Sequence, residues 1–286
     1  MKDRRVKNLS GMGQIMLDIL PKRSDGMVYI NQKLDVTNLI KYIEKSKKDE
    51  NNKLTYFHAF MTAIGMTIFN RPKLNYYVRN RHLYEHNDIV IAFVAKTEFN
   101  DKSEEMMIQI KFEEHDNIFT IKEKINKELN KFRNNNSNEN KGGANSAIDV
   151  LAKLPNIIRI PVVGILKWCD KKGILPKSLC EDNLYYSSMF VSNLGSIKCG
   201  AIYHHHAEFG TCSGIITMGQ IKQEEVINEA GKKEIRDIVE FGVNLDERIA
   251  DGYYFIKSLK LLEYILDNPK MLEKDVFTKI DTKEIR

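Results

Sequence analysis

The chain has 286 residues, 42% hydrophobic and 29% charged, so it can bury a sizeable core without disulfide or metal staples. Its formal net charge of +5, with acids and bases interspersed, excludes a nucleic-acid stripe and leaves a mild attraction for anionic small molecules. No apolar run reaches membrane-spanning length and residues 1–9 are charged, which predicts a cytoplasmic protein with reduced cysteines and neither nucleic acid nor membrane as a partner.

Residues 27–34 are rich in alternating apolar side chains and predict a strand. Asp35 and Thr37 are caps for a helix carrying Leu39, Ile40, Tyr42 and Ile43 on one face. Thr55 opens a longer helix with Phe57, Phe60, Met61, Ile64 and Ile68 at helical spacing, ended by Pro72 and read as core. Segments 88–95 and 106–112 read as strands, and 118–132 as a helix. Asn, Gly and Ser crowd 134–146, an exposed loop within one domain, since both flanks look like amphipathic helices. Helices are expected over 146–154 and 161–172, with Trp168 in the core or an interface and Gly173 near the stop.

The second half is richer in strands: 188–193, 213–221 and 235–244. After Asp251-Gly252 a helix places Phe255, Ile256, Leu259, Leu262 and Leu266 on one face, and Pro269 closes it. Strands and helices mix without strict βαβ alternation, which predicts an α/β layered fold with a mixed sheet, one domain over 1–286. Cys169, Cys180, Cys199 and Cys212 form no C-x-x-C pair and read as small buried groups.

Three stretches in collinear order carry a resemblance. The first runs from Leu9-Ser10-Gly11-Met12 to Asp35-Val36-Thr37-Asn38-Leu39, then through the helix to Pro72-Lys73-Leu74-Asn75. The second is Phe190-Val191-Ser192-Asn193-Leu194-Gly195. The third is Asp246-Glu247-Arg248-Ile249-Ala250-Asp251-Gly252, with its helix down to Pro269. Together they resemble the catalytic domain of the dihydrolipoyl acyltransferases of 2-oxo-acid dehydrogenase complexes, whose versions read LSGM, DVTEL, FTISNLG and DHRVxDG. That resemblance implies a two-layer α/β sandwich of the chloramphenicol acetyltransferase type. It implies acyl transfer from coenzyme A to a small acceptor, and a homotrimer with its site between neighbouring subunits. Some relatives assemble further into cubic particles. No lipoyl or subunit-binding module, and so no lipoyl attachment site, is expected on this chain.

Acyl transfer from a thioester needs a base for the acceptor's proton, a donor to the oxyanion, and a channel that aligns donor with acceptor. By the resemblance Ser192 is the oxyanion donor, and Asp251 is the acid that orders the site; read alone, Asp251 before Gly252 is an ordinary helix cap. The base position holds Glu247 instead of histidine, and a carboxylate at its usual pKa of about 4.3 is the weaker base. Gly13 and Gln14 stand where the family often carries arginine after SGM. Three readings of Glu247 follow: the base, an orienting group for a relocated imidazole, or a structural partner of Arg248. The relocated imidazole would come from His204, His205 or His206, where an extended segment points His204 and His206 to one side and His205 to the other. The histidines alternatively line the pocket or the surface, or meet a metal at a trimer axis; no metal is expected within one chain. A trimeric scaffold or ligand-binding protein that kept the fold and lost the chemistry is the competing function.

Overall fold

A computed structural model describes residues 3–47, 53–96, 105–134, 150–181, 183–228, 230–282 and 285. The loop expected over 134–146 lies outside them except for Asn134, as do the first residues of the helix expected over 146–154.

The chain begins with strand β1 (Arg4–Arg5) and helix α1 (Gly11–Ile19), which periodicity did not single out. Ser10 caps α1, its hydroxyl accepting from the Gly13 N–H at 3.1 Å. Strand β2 (Met27–Asp35) leads into α2 (Thr37–Ser46), where Asp35 accepts from the Thr37 N–H at 2.9 Å. Helix α3 (Tyr56–Asn70) starts from a capping box between Thr55 and His58 and is buried throughout 58–68. A hairpin follows, β3 (Tyr76–Arg79) and β4 (His82–Glu85), turning on Asn80 and Arg81, both at positive φ. Next come β5 (Ile89–Lys96), β6 (Glu105–Phe112), α4 (Ile118–Asn134) and α5 (Asn156–Lys172). The remainder holds β7 (Met189–Asn193), β8 (Gly214–Met218), β9 (Lys222–Ile227), β10 (Lys233–Asp246) and α6 (Gly252–Asp267).

The main sheet has the order β2-β10-β8-β7-β5-β6, with β9 pairing β10 beside it. Strand β7 runs parallel to both β5 and β8, and every other pair is antiparallel, which is the mixed sheet expected. Successive side chains of a strand point to opposite faces, so one contact fixes the faces of the whole sheet. Phe241 of β10 meets Phe60 of α3 edge-on, ring centroids 5.3 Å apart. Val239, Phe241, Val243 and Leu245 therefore face the helices α3 and α6, in the layer that forms the core. Glu240, Gly242, Asn244 and Asp246 face the other way, and strand register places Ser192, Thr217, Phe190 and Ile215 on that outer face with them.

Several side chains sit differently from expectation. Helix α5 starts before Pro161 and runs through it; proline costs one internal hydrogen bond but its φ is already helical. Trp168 is 56% exposed, so it is not a core residue. Ile256 lies outside the apolar stripe of α6, which is completed by Leu261 and Ile265. Only Cys212 of the cysteines is buried, and Cys199 is exposed; all four are free thiols. Strand β8 ends at Met218, because Gly219 and Gln220 turn to meet Glu240 and Cys199 through backbone bonds.

Candidate functional site

The outer face of the sheet is crossed by a strap, residues 201–206, tied down by two side chains. The Thr217 hydroxyl accepts from the Ile202 N–H at 3.1 Å and donates to the Ile202 carbonyl. Asn244 donates to the His204 carbonyl at 2.6 Å and accepts from its N–H at 3.2 Å. Thr217 and Asn244 thus do for alternate strap residues what a neighbouring strand would do. The approach is close enough to require glycine: a Cβ on Gly242 would lie 2.3 Å from the Ile202 carbonyl oxygen.

The three histidines occupy different environments along this strap. His205 is exposed, whereas His204 and His206 are partly covered, the alternation expected. The ring of His204 packs against Phe190 (6.3 Å) and stacks on His205 (4.8 Å). Its Nδ1 lies 3.0 Å from the His205 carbonyl; donation to that oxygen leaves Nε2 as the lone-pair nitrogen. His206 is buried deeper and its Nε2 has no partner. Burial, and then the nearby Arg23 cation, lower its pKa to about 4, so it is neutral and a poor proton acceptor at neutral pH. Arg23 is itself buried, donating to the carbonyls of Ala207 (2.6 Å), Phe209 (3.1 Å) and Gly210 (2.8 Å).

Ser192 pairs in register with Thr217, and Thr217 with Gly242. Its half-buried hydroxyl makes no hydrogen bond among the described residues. Phe190, on which His204 rests, is the preceding outward residue of the same strand. The strap thus brings one imidazole to the serine's face, a single step along β7.

Glu247 lies elsewhere. It follows β10, five residues beyond Gly242, held by its N–H to the Gly26 carbonyl at 2.7 Å. Those five residues at ~3.3 Å each, with two strand spacings of ~4.8 Å, put it on the order of 19 Å from Ser192 in the same chain. Its carboxylate has no hydrogen bond or ion pair among the described residues. The expected partner Arg248 is taken by Asp246, with Nε to Oδ1 at 2.8 Å and an Nη to Oδ2 at 2.6 Å, both side chains buried. No hydrogen bond joins Glu247 to any described histidine, so it orients none of them within the chain. Asp251 is a helix cap: its carboxylate accepts from the Tyr254 N–H at 2.8 Å at the start of α6. No cluster of three or more His, Cys, Asp or Glu able to hold a metal occurs among the described residues.

The family model for the 2-oxoacid dehydrogenases acyltransferase catalytic domain matches residues 2–149 and 176–273. The chain belongs to this family. Residues 150–175, which include all of α5, fall in the gap between the matched stretches. No curated protein matches the chain. Among solved structures, the dihydrolipoamide acetyltransferase of Azotobacter vinelandii is 13% identical over 93% of each chain, with a TM-score of 0.60. A serine, a histidine and an asparagine four residues after the histidine were investigated in that enzyme's mechanism. The cubic core of the pyruvate dehydrogenase multienzyme complex is 12% identical over 93% of each chain, TM-score 0.55. A chloramphenicol acetyltransferase is 9% identical over 93% of this chain and 99% of its own, TM-score 0.56. The fold is thus the two-layer sandwich that the sequence resemblance implied.

Thr217, Asn244, Gly242 and Arg23 were not legible as site residues. Their roles depend on register across three strands and on where the strap crosses them. A buried arginine without a carboxylate partner leaves no mark in a charge pattern.

Proposed function

We propose that the protein is a coenzyme-A-dependent acyltransferase in which His204 is the general base and Ser192 the oxyanion donor. One observation carries the reading: His204 lies on the Ser192 face with Nδ1 committed to a carbonyl and Nε2 left to accept a proton. The acceptor's nucleophilic atom attacks the thioester carbon while its proton passes to Nε2. The carbonyl π pair moves onto oxygen, which accepts a hydrogen bond from the Ser192 hydroxyl. The intermediate collapses, the C–S bond breaks, and the thiolate takes the proton back from the imidazolium. The strap fixes the imidazole before substrate arrives, and such preorganisation is what general-base catalysis needs.

A second reading has its own observation. Glu247, at the family's histidine position, has a carboxylate unpaired among the described residues, and in a homotrimer it would face Ser192 of a neighbour. Thiol release from a panel of acyl-coenzyme-A donors separates the two. If His204 is the base, His204→Ala lowers turnover by about 10²–10⁴, and Glu247→Gln changes it little. The opposite result moves the base to Glu247. Mixing Ser192→Ala chains with Glu247→Ala chains then restores activity only if the two residues meet across subunits. Absence of thiol release with every donor and acceptor supports the scaffold function instead.

A further inference from the structure

We infer that α5 is an interfacial helix that lays its outward face on an anionic lipid bilayer. Large apolar side chains lie on both its sides: Val162 and Leu166 are partly covered by the body, and a second, larger apolar set faces solvent. Arg159, Val162, Leu166, Cys169 and Asp170 turn inward, while Ile157 (83% exposed), Ile158, Ile160, Ile165, Trp168 and Ile174 turn outward or follow directly on. Such a surface loses free energy in water at about 25 cal/mol per Å² of apolar area left uncovered, and something covers it in use.

Charge decides what. Residues 150–177 carry Lys153, Arg159, Lys167, Lys171, Lys172 and Lys177 against one acid, Asp170. None of the five lysines is paired with a carboxylate among the described residues. Asp170 is committed inside the fold: its Oδ1 accepts from the Tyr186 hydroxyl at 2.7 Å and its Oδ2 from the Gly210 N–H at 2.8 Å. The patch is therefore apolar with a one-signed rim. Two such patches from copies of this chain would bring like charges together across a symmetric contact. Anionic headgroups complement them, with apolar side chains and a tryptophan in the acyl boundary. The segment also falls between the two stretches that the family model matches. The helix has 17 residues and spans ~26 Å. No described helix is long and apolar enough to cross a bilayer, so α5 lies in the plane of the interface. Through Asp170 and Gly210 a docked α5 stays tied to the loop that Arg23 holds beside His206.

Trp168 is the sole tryptophan and reports on the patch directly. The full chain is mixed with vesicles of phosphatidylcholine alone, or of phosphatidylcholine and phosphatidylglycerol in equal parts. Binding is followed by flotation and by Trp168 emission. Expected are a blue-shifted, quencher-protected emission and flotation with the anionic vesicles only. Lys167→Glu with Lys171→Glu should weaken partitioning by about tenfold or more, as should Ile157→Ser with Ile165→Ser. These positions are exposed, and unchanged thermal unfolding confirms that the variants fold. Three outcomes overturn the inference: no flotation with anionic vesicles, flotation insensitive to both pairs of substitutions, or an oligomer that dissociates on Ile157→Ser with Ile165→Ser while lipid binding is absent. The last assigns the face to a second copy of the chain.

Discussion

Helices α5 and α6 are nearly equal in length, 17 and 16 residues, and both are rich in large apolar side chains. In α6 the stripe Phe255, Leu259, Leu262, Leu266 packs on the sheet and on α3, and nearly every large apolar group on it is buried. In α5 most of the comparable groups point to solvent, with Val162 and Leu166 partly covered. Apolar content decides that a helix has a face to hide, and the surroundings decide where. A cap at Asp251, a strand ending just before it and a proline just after it deliver α6 onto the sheet. Helix α5 is tied by hydrogen bonds at its C-terminal turn, through Asp170 to Tyr186 and Gly210.

That contrast breaks first at Phe255. It is fully buried, and Phe255→Ala should cost about 3–5 kcal/mol in denaturant unfolding, as core aromatic deletions do. A much smaller loss would mean that α6 is as loosely held as α5. An effect of similar size is expected from Arg248→Met. It leaves Asp246 buried without its cation, and breaking a buried pair from one side costs about 3–5 kcal/mol. If Glu247 were Arg248's partner instead, Glu247→Gln rather than Asp246→Asn would reproduce that loss.

How much of this was readable in the sequence follows the same division. Strands β2 and β5 and helices α3 and α6 were evident, because each is bounded by a cap or a breaker and its period matches its burial. The β3–β4 hairpin was missed: its turn uses Asn80 and Arg81 at positive φ, without the glycine that marks such turns. Ser192 and Glu247 were found by their motifs, but the distance between them depends on strand register. The strap histidines were placed on the correct alternating faces, yet their differing solvation depends on Phe190, Arg23 and Asn244, all remote in sequence.

Acid should expose the difference between buried and partly covered histidines. His206 and His58 both have folded-state pKa values lowered to about 4, through burial first, then Arg23 near His206 and Lys122 near His58. In the unfolded chain imidazoles take a proton near pH 6.5. The fold therefore keeps its full stability above about pH 6.5 and loses it as pH falls towards 4, on the order of 3 kcal/mol for each histidine. His206→Asn should flatten part of that slope in unfolding measured across this pH range. An unchanged slope would mean that His206 is not held neutral. A smaller loss, about 1–3 kcal/mol, is expected for Asn244→Ala, which strands the N–H and carbonyl of His204. If the strap serves catalysis as proposed, this variant should lose turnover beyond its loss of stability.

The smallest effect is the most diagnostic for the comparison. Trp168→Ala removes the largest side chain of α5, and in a core that substitution would cost about 3–5 kcal/mol. Exposed as Trp168 is, it should change unfolding stability by no more than about 0.5 kcal/mol in dilute solution. Measured with phosphatidylglycerol vesicles present, the same substitution should reduce the lipid-bound fraction. A face that matters only when a surface is offered must be silent in water. A large loss of stability without lipid would place Trp168 against protein after all, in an assembly that one chain does not display.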